Sequence, residues 1–291
     1  KDLDGAFAIA VIAVDKKDQL ICARKGCPLL IGVGQKENFI ASDASAIIAS
    51  TKNIIYLEDG DIANLTVEGL EIYDKSLKPT KRKLHKSSLD EGSMDLGPYD
   101  HFMQKEIYEQ PKALGDTIEA VIDNNAFDIE LLGKSAKKTL ADVNSILILA
   151  AGTSYYAGLT AKYWIESIAK IPVNVEIASE YRYRSSIPNV NQLVITISQS
   201  GETLDTIESL KHAKVMGHKK TLTICNVQDS AIVRESQLVL YTRAGMEIGV
   251  ASTKAFTTQL ASLFVLTIIL GKINNRITKK QEKEYLSELR L

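Results

Sequence analysis

The chain has 291 residues, of which 45% are hydrophobic and 24% are charged, a composition typical of a folded globular protein. Its 35 basic and 36 acidic residues give a formal net charge of −1, so there is no electrostatic reason to expect nucleic acid or an anionic membrane as a partner. Three scattered cysteines, with no CxxC pair and no clustered histidines, indicate a reducing compartment such as the cytoplasm and predict neither a disulfide framework nor a metal or other cofactor.

The first quarter of the sequence is rich in strand patterns. Apolar and β-branched runs, separated by turn signals, predict strands near 6–14, 19–23, 53–57 and 64–72. Ser42 is a suitable N-cap, and 42–51 is predicted as a short helix. Asp59 and Asp61 lie in a turn, and turn chemistry explains both without catalysis. Residues 76–99 are polar and aperiodic and are interpreted as an interdomain linker.

The rest of the chain alternates between strand and helix patterns. A helical pattern over 100–123 is interrupted at Pro111, which predicts two short helices. Beyond it, buried strands are predicted at 146–150, 173–177, 192–197, 220–225 and 237–241, and helices at 154–169, 203–216 and 254–270. This alternation predicts an α/β fold with a five-stranded parallel, doubly wound sheet. The apolar stretch 261–270 is interpreted as part of a buried helix, so no membrane span is expected, nor is a signal peptide recognised.

The most informative motif lies where the predicted strand 192–197 gives way to a helix. It reads Ser198-Gln199-Ser200-Gly201-Glu202-Thr203. Small hydroxyl side chains, a glycine and the free N–H groups of a helix N-terminus together suit a phosphate group. The motif contains no lysine, which excludes a Walker-type nucleotide loop and favours a phosphomonoester such as a sugar phosphate. The alternative is that these hydroxyls serve only as caps and turn residues.

A second junction repeats the same pattern. The strand 145–150 is followed by Ala151-Gly152-Thr153-Ser154 and then by a helix. In an open parallel sheet, ligands bind at the carboxyl ends of strands near the point where strand order reverses. Two hydroxyl-rich strand ends in one domain are therefore expected to face one pocket.

The loop before the last predicted helix is a third candidate. It reads Gly249-Val250-Ala251-Ser252-Thr253-Lys254, in which Ser252 or Thr253 is a natural N-cap and the loop could also line the pocket. Lys254 is either catalytic or a first-turn residue with a solvated ammonium. Glu180–Arg184 is either an oligomer contact or a surface turn, and His212 and His218 are expected on or after an exposed helix without a special role.

Taken together, these stretches resemble the glucosamine-6-phosphate synthase family, the glutamine:fructose-6-phosphate amidotransferases. The segments that carry the resemblance are 37–43, 56–63, 103–111, 152–155, 175–184, 198–203 and 249–259. They cover nearly the whole chain. One six-residue motif alone would be weak, because other sugar isomerase (SIS) domains share the serine-rich loop, but the ordered set is specific.

The resemblance implies a domain arrangement and an activity. Residues 1–75 would be the C-terminal part of an N-terminal-nucleophile glutaminase domain, 76–99 a linker, 100–275 a first SIS domain of flavodoxin-like fold, and 276–291 the start of a connection to a second SIS domain. In the family, ammonia released from glutamine is added to fructose 6-phosphate, and the product is isomerised to glucosamine 6-phosphate, the first step of hexosamine and UDP-N-acetylglucosamine synthesis. The resemblance implies a cytoplasmic homodimer or larger assembly, and the apolar helix 254–270 is a candidate for the subunit contact.

The resemblance also assigns binding residues. In the family, the loops matching Thr153, Ser154, Ser198, Gln199, Ser200 and Thr203 hold the sugar phosphate. The loop matching Val250 and Ser252 lies beside the sugar. The first two loops are those that the strand-to-helix pattern indicates independently.

The chain departs from the family in its catalytic residues. The family's glutaminase nucleophile is an N-terminal cysteine, whereas this chain begins with Lys1, and neither Cys22 nor Cys27 lies in the nucleophile's sequence context. The family's Schiff-base lysine, proton-transfer glutamate and ring-opening histidine cannot be placed here either. No catalytic residue is therefore predicted. The chain is expected to be an internal piece that binds phosphosugar weakly and needs the missing glutaminase and second SIS parts for turnover.

Two other hypotheses stay open at this point. One is a non-catalytic SIS-type module that binds a sugar phosphate and regulates a partner. The other is a structural fragment whose hydroxyl loops only cap helices. The glutaminase-like N-terminal segment and the 103–111 stretch favour the amidotransferase over the regulatory module.

Overall fold

The computed structural model describes residues 3–87, 95–123, 126–228 and 230–291, apart from the side chain of Ser45. The chain divides into two compact units, Lys1–Asp95 and Leu96–Leu291.

The first unit is built from antiparallel strands. They are β1 (Phe7–Ala13), β2 (Lys16–Lys25), β3 (Leu30–Val33), β4 (Asn38–Ala41), β5 (Asn53–Tyr56), β6 (Ile62–Leu65), β7 (Leu70–Tyr73), β8 (Pro79–Thr80) and β9 (Leu84–Lys86). They form a five-stranded sheet in the order β1-β2-β6-β7-β8 and a four-stranded sheet in the order β4-β3-β5-β9. Cys22, Ala63 and Ile72 of the first sheet share one buried cluster with Ile31 and Ile55 of the second. The alternate residues Leu30 and Ile54 pack on the opposite side.

Two predictions for this unit need correction. Only Ala44–Ala46 of the predicted helix 42–51 forms a helical turn, of the 3₁₀ type, and turns follow it. Ile47 and Thr51 are held against Gly32 of β3, where even a Cβ would collide with both side chains, so packing decides the backbone here. The predicted strand 64–72 is instead the hairpin β6–β7, which begins at Ile62 and ends at Tyr73.

The segment 76–99 is also not a linker throughout. Its first part contributes β8 and β9 to the two sheets. Between them, Arg82 donates two hydrogen bonds of 2.8 Å to the carboxylate of Asp61, which is 1% exposed. The same carboxylate accepts the N–H of Glu58 at 2.8 Å, as turn chemistry predicts, so Asp61 is held both by the turn and by Arg82. Residues 88–94 lie outside the described part of the chain.

The second unit contains the parallel sheet that the sequence predicts. Its elements are α1 (Phe102–Glu119), β10 (Ile122–Asp123), β11 (Ala126–Phe127), α2 (Ala136–Leu140), β12 (Ser145–Ala150), α3 (Gly152–Trp164), β13 (Val173–Ile177), α4 (Ala178–Tyr181), β14 (Gln192–Ser198), α5 (Leu204–Val215), β15 (Lys220–Cys225), α6 (Ala231–Glu235), β16 (Leu238–Tyr241), α7 (Lys254–Ile273) and α8 (Lys279–Leu289). A π-helical turn, Ile165–Ala169, continues α3. The strand order is β13-β12-β14-β15-β16, and every neighbouring pair is parallel.

Helices cover both faces of this sheet. Ile146 and Ile148 of β12 point into a cluster that includes Ala161 of α3 and Leu266 of α7. The alternate residues, Leu147 and Leu149, share a second cluster with Tyr181 of α4 and Leu210 of α5. Because adjacent residues of a strand face opposite sides, one continuous apolar run supplies both cores. The doubly wound architecture is confirmed.

Helix α1 is continuous, whereas two helices were predicted. Pro111 lies inside it and has no N–H to donate to the carbonyl of Ile107. The side-chain amide of Gln110 donates to that carbonyl instead, at 3.1 Å. This local replacement lets the helix run through the proline.

Helix α7 is the central helix of the unit. Within the described residues it is the one helix long and apolar enough to cross a membrane, but most of its apolar stretch is buried against the rest of the unit. Its buried residues occur on all sides, from Ala255 to Gly271. Most of its apolar surface is thus covered within this unit, and the contribution of α7 to a dimer contact stays a prediction.

Candidate functional site

The parallel sheet has one topological switch point, between β12 and β14. The chain leaves β12 for β13 on one side and then crosses to β14 on the other side. The helices that follow the two strands, α3 and α5, pack on opposite faces. Since Leu149 pairs with Thr196, the two strands end side by side. Ligands of open α/β sheets bind in the crevice that opens at such a point.

The loop after β12 presents a helix N-terminus to this crevice. Ala151 is the extended N-cap of α3, and its side chain makes no cap hydrogen bond. The first intrahelical donor is the N–H of Tyr155, which bonds to the carbonyl of Ala151. The N–H groups of Gly152, Thr153 and Ser154 therefore have no partner within the helix, as is normal for a first turn. Thr153 is exposed and Ser154 is buried.

The loop after β14 is folded by its own hydroxyl groups. The Oγ of Ser198 accepts the N–H of Gly201 at 3.0 Å and lies 3.2 Å from Oγ1 of Thr203. The Oγ of Ser200 accepts the N–H of Glu202 at 3.2 Å. A hydroxyl that accepts an N–H keeps its own hydrogen to donate. Thr203 is the N-cap residue of α5, but its side chain makes no cap hydrogen bond. Helix capping therefore does not account for these side chains, whereas the bonds accepted by Ser198 and Ser200 are those of turn residues, the other half of the alternative.

The opposite side of this loop is fixed by β15 and α6. Gly201 has φ 68°, in the left-handed region, and a Cβ there would collide with the side chains of Ser230 and Cys225. Its carbonyl accepts the N–H of Ile232 at 3.1 Å. The carboxylate of Glu202 accepts the N–H of Ala231 at 2.8 Å. Burial raises the pKa of Cys225 to about 11, so a neutral thiol lies behind the loop.

The third loop, between β16 and α7, is shaped by Glu247. Its carboxylate accepts the N–H groups of Thr253 at 2.9 Å and Ala255 at 3.0 Å, and the hydroxyl of Ser252 at 3.2 Å. A carboxylate at this position also interacts favourably with the positive end of the helix dipole. Thr253 is the N-cap residue of α7, one of the two predicted, but the carboxylate of Glu247 rather than the Thr253 side chain accepts the N–H groups there. Val250, at the tip of the loop, is fully exposed.

Helix α1 supports the same loop from the other side. Glu106 is 2% exposed, and one of its carboxylate oxygens accepts the N–H groups of Ile248 at 2.5 Å and Gly249 at 3.0 Å. One turn later, Glu109 forms an ion pair of 2.6 Å with Lys254. Lys254 is 4% exposed, so the expectation of a solvated ammonium is wrong.

Of the 180–184 segment and the two histidines, Tyr181 and His218 differ from the expectation because they are buried, whereas His212 lies partly exposed on α5 as expected. Tyr181 is fully buried and its hydroxyl lies 3.3 Å from Nε2 of His218, which is itself buried. Arg182 and Arg184 pair with Asp205 and Glu176. Tyr181 thus belongs to the core, whereas the rest of the segment is a largely exposed turn held by ion pairs, as the surface-turn alternative predicts. Within the described residues, no group of three or more histidine, cysteine or acidic side chains could hold a metal ion.

The sequence-predicted residues fall into two sets. Thr153 and Ser154 lie with Ser198, Gln199, Ser200 and Thr203 at the ends of neighbouring strands. Val250 and Ser252 belong to the loop after β16, two strands further along the sheet. Sequence reasoning missed the residues that hold these loops, namely Glu106, Glu202, Asn226 and Glu247. Each acts on a backbone group that lies outside its own helix or turn, and no local pattern indicates such pairs.

Comparison with known proteins identifies the second unit. Residues 139–269 match the family model of the SIS domain. Over 290 residues the chain is 58% identical to glutamine–fructose-6-phosphate aminotransferase (isomerizing) from Xanthomonas campestris pv. campestris, covering 100% of this chain and 48% of that protein. Over 291 residues it is 60% identical to the enzyme of the same name from Neisseria meningitidis serogroup A, covering 100% of this chain and 47% of that protein. The second unit carries a SIS domain, and the whole chain is similar to about half of these aminotransferases.

A solved structure agrees with this assignment. The C-terminal domain of glucosamine–fructose-6-phosphate aminotransferase from Francisella tularensis is 48% identical, with a TM-score of 0.66. The match covers 67% of this chain and 55% of that one. The SIS fold predicted for the second unit is thereby confirmed. The chain spans about half the length of the curated relatives it matches.

Proposed function

We propose that this chain provides the phosphosugar-binding SIS domain of a glutamine–fructose-6-phosphate aminotransferase, with fructose 6-phosphate and glucosamine 6-phosphate as its ligands. The observation that carries the proposal is the position of two hydroxyl-rich helix N-termini on both sides of the switch point. The names of relatives that match the whole chain at 58% and 60% identity support it.

The proposed phosphate site works without a lysine or arginine in its loops. The free N–H groups at the start of α3 and α5 and the two helix dipoles would stabilise the phosphate dianion. The hydroxyls of Ser200 and Thr203 would donate to its oxygens, with Ser200 accepting the N–H of Glu202 and Thr203 accepting the hydroxyl hydrogen of Ser198, which in turn accepts the N–H of Gly201. Thr153, Ser154 and Gln199 would complete the cradle, with Val250 and Ser252 beside the sugar. A side chain on Gly201 would collide with Ser230 and Cys225 and so displace the loop.

The remaining parts of the relatives would supply the chemistry. In this proposal the glutaminase part delivers ammonia, the second SIS part completes the sugar site, and the assembly is a cytoplasmic homodimer. The chain alone then binds phosphosugar weakly and does not turn over. Steady formation of glucosamine 6-phosphate by this chain alone would contradict that part of the proposal.

A calorimetric titration with fructose 6-phosphate tests the site. We expect saturable binding, and a loss of roughly tenfold or more in affinity in Ser200→Ala and in Thr203→Ala, because each variant loses a hydrogen bond to a charged group. Ser167→Ala is a matched control, since Ser167 lies beyond α3 and its hydroxyl bonds only to the carbonyl of Trp164. Equal binding by all four proteins would show that the phosphate is held elsewhere.

A further inference from the structure

Asn226 is the first residue after β15, the strand that lies between β14 and β16. It therefore lies between the proposed phosphate loop, 198–203, and the loop that leads from β16 to α7. Neither the sequence pattern nor the resemblance gives it a role.

Asn226 makes hydrogen bonds to both loops. Its backbone N–H donates to the carbonyl of Gln199 at 3.3 Å. Its side-chain oxygen accepts the N–H of Ala244 at 2.7 Å and the hydroxyl of Thr242 at 3.2 Å. Its side-chain nitrogen donates to the carbonyl of Gly245 at 2.6 Å. An amide offers both a donor and an acceptor, and here both are used on the same loop.

The other supports of that loop act further along it. Glu106 holds Ile248 and Gly249, and Glu247 holds Thr253 and Ala255. These contacts fix the second half of the loop to α1 and α7. The contacts of Asn226 fix its first half relative to the phosphate loop.

We propose that Asn226 is a positioning residue that sets the distance between the phosphate loop and the sugar-side loop. This inference rests on the proposed function. Inorganic phosphate needs only the loops after β12 and β14, whereas a phosphosugar must reach from the phosphate loop to the loop that carries Val250 and Ser252. Asn226 therefore determines the preference for a phosphosugar over free phosphate.

The test compares two probes on the whole chain, fructose 6-phosphate and inorganic phosphate, each titrated by calorimetry. In Asn226→Ala we expect the affinity for fructose 6-phosphate, relative to that for inorganic phosphate, to fall by roughly tenfold. A displacement of a binding group by about 1 Å can lower its contribution by that factor or more. Inorganic phosphate should bind with nearly unchanged affinity. Asn226→Asp keeps the side-chain size and the acceptor for Ala244 but loses the donor to Gly245, and it should show the same direction of change.

Asn189→Ala is the matched control. Asn189 donates to the side chains of Asn144 and Ser145, at the amino end of β12, the end of the strand away from the site. It should leave the affinity ratio unchanged. Thermal unfolding of every variant checks that it is folded, and amide exchange at Ala244 should be faster without any ligand in Asn226→Ala, which loses the acceptor of that N–H, than in Asn226→Asp, which keeps it.

The outcomes separate the two proposals. An unchanged affinity ratio in folded Asn226 variants, with normal binding by the parent chain, overturns the role of Asn226 and leaves the proposed function intact. An equal loss for both probes also overturns it, because Asn226 would then only support the phosphate loop. Absence of binding of either probe by the parent chain overturns the proposed function and this inference with it.

Discussion

The ammonium nitrogen of Lys254 lies 2.6 Å from a carboxylate oxygen of Glu109, which joins the first turn of α7 to the middle of α1. One turn earlier in α1, Glu106 accepts two N–H groups from the loop that precedes α7. Helix α1 therefore supports one wall of the candidate site, although it lies outside the stretch that matches the SIS model. This gives the 103–111 segment, which contributed to the family resemblance, a physical role.

The Lys254–Glu109 pair should contribute asymmetrically to stability. Glu109→Gln leaves a buried ammonium without its counter-charge and should lower the free energy of unfolding by about 1–3 kcal/mol. Lys254→Met should cost less, because Glu109 is about a third exposed and can be solvated. Urea denaturation of both variants measures this difference. Lys112→Met provides the control: its pair with Asp116 is exposed, and a change of under about 0.5 kcal/mol is expected. A larger cost for Lys254→Met than for Glu109→Gln would contradict this reasoning.

Local sequence patterns were sufficient to predict the framework of the second unit. The strands at 145–150 and 192–198 are buried on both faces, a pattern typical of a strand with helices on both sides of its sheet. The hydroxyl-rich loops begin where these strands end. The candidate loops could therefore be located from the sequence. Their order in the sheet, and hence the switch point, required the structure.

The supporting contacts could not be predicted, because they join distant residues. Glu106 and Ile248 are 142 positions apart, and Arg82 and Asp61 are 21 apart. Two wrong predictions, the helix break at Pro111 and the linker, have similar causes. Gln110 compensates for Pro111 through a side chain that carries no helix signal. The segment 76–87 looks like a linker because its strands are only two and three residues long.

The fork between Arg82 and Asp61 should stabilise the first unit. Hydrogen bonds to Asp61 raise the pKa of Arg82, so the guanidinium stays charged. In Arg82→Met the buried carboxylate loses its charged partner while still accepting the N–H of Glu58, and we expect the free energy of unfolding to fall by about 3 kcal/mol. Amide exchange should then become faster in β6 and β7 and remain unchanged in β12 and β14 of the second unit. Lys280→Met, which breaks an exposed ion pair on α8, should change neither the stability nor the amide exchange of the first unit. Unchanged exchange in β6 and β7 of Arg82→Met would count against this role.

Gly201 should be required for phosphate binding. Alanine there would be strained at φ 68° and would press on Ser230 and Cys225, so the loop must move. We expect Gly201→Ala to weaken fructose 6-phosphate binding by tenfold or more, and to lower stability by about 1–3 kcal/mol. Gly115→Ala is the opposite case, because Gly115 lies within α1 with open space around its Cβ position. That substitution should raise stability by about 0.5–1 kcal/mol and leave binding intact. Unchanged binding by Gly201→Ala would show that this loop does not hold the ligand.

His218 should make the stability of the second unit depend on pH. Burial lowers the pKa of His218 below its ordinary value, and its ring contacts the hydroxyl of Tyr181. The unfolded chain therefore takes up a proton at this residue at a higher pH than the folded chain does. Because the unfolded state then binds more protons, stability falls as pH decreases below about 6.5, until the folded-state pKa is reached.

His218→Gln removes this proton uptake and keeps a polar side chain of similar length. At pH 8 the histidine is neutral in both states, so the difference between parent and variant there measures packing and hydrogen bonding alone. Between pH 7 and pH 5 the parent should lose stability relative to the variant, with a slope of at most about 1.4 kcal/mol per pH unit. Urea denaturation of both proteins at pH 8, 7, 6 and 5 measures this difference. A constant difference over that range would mean that His218 takes up its proton at the same pH in the folded and unfolded chains.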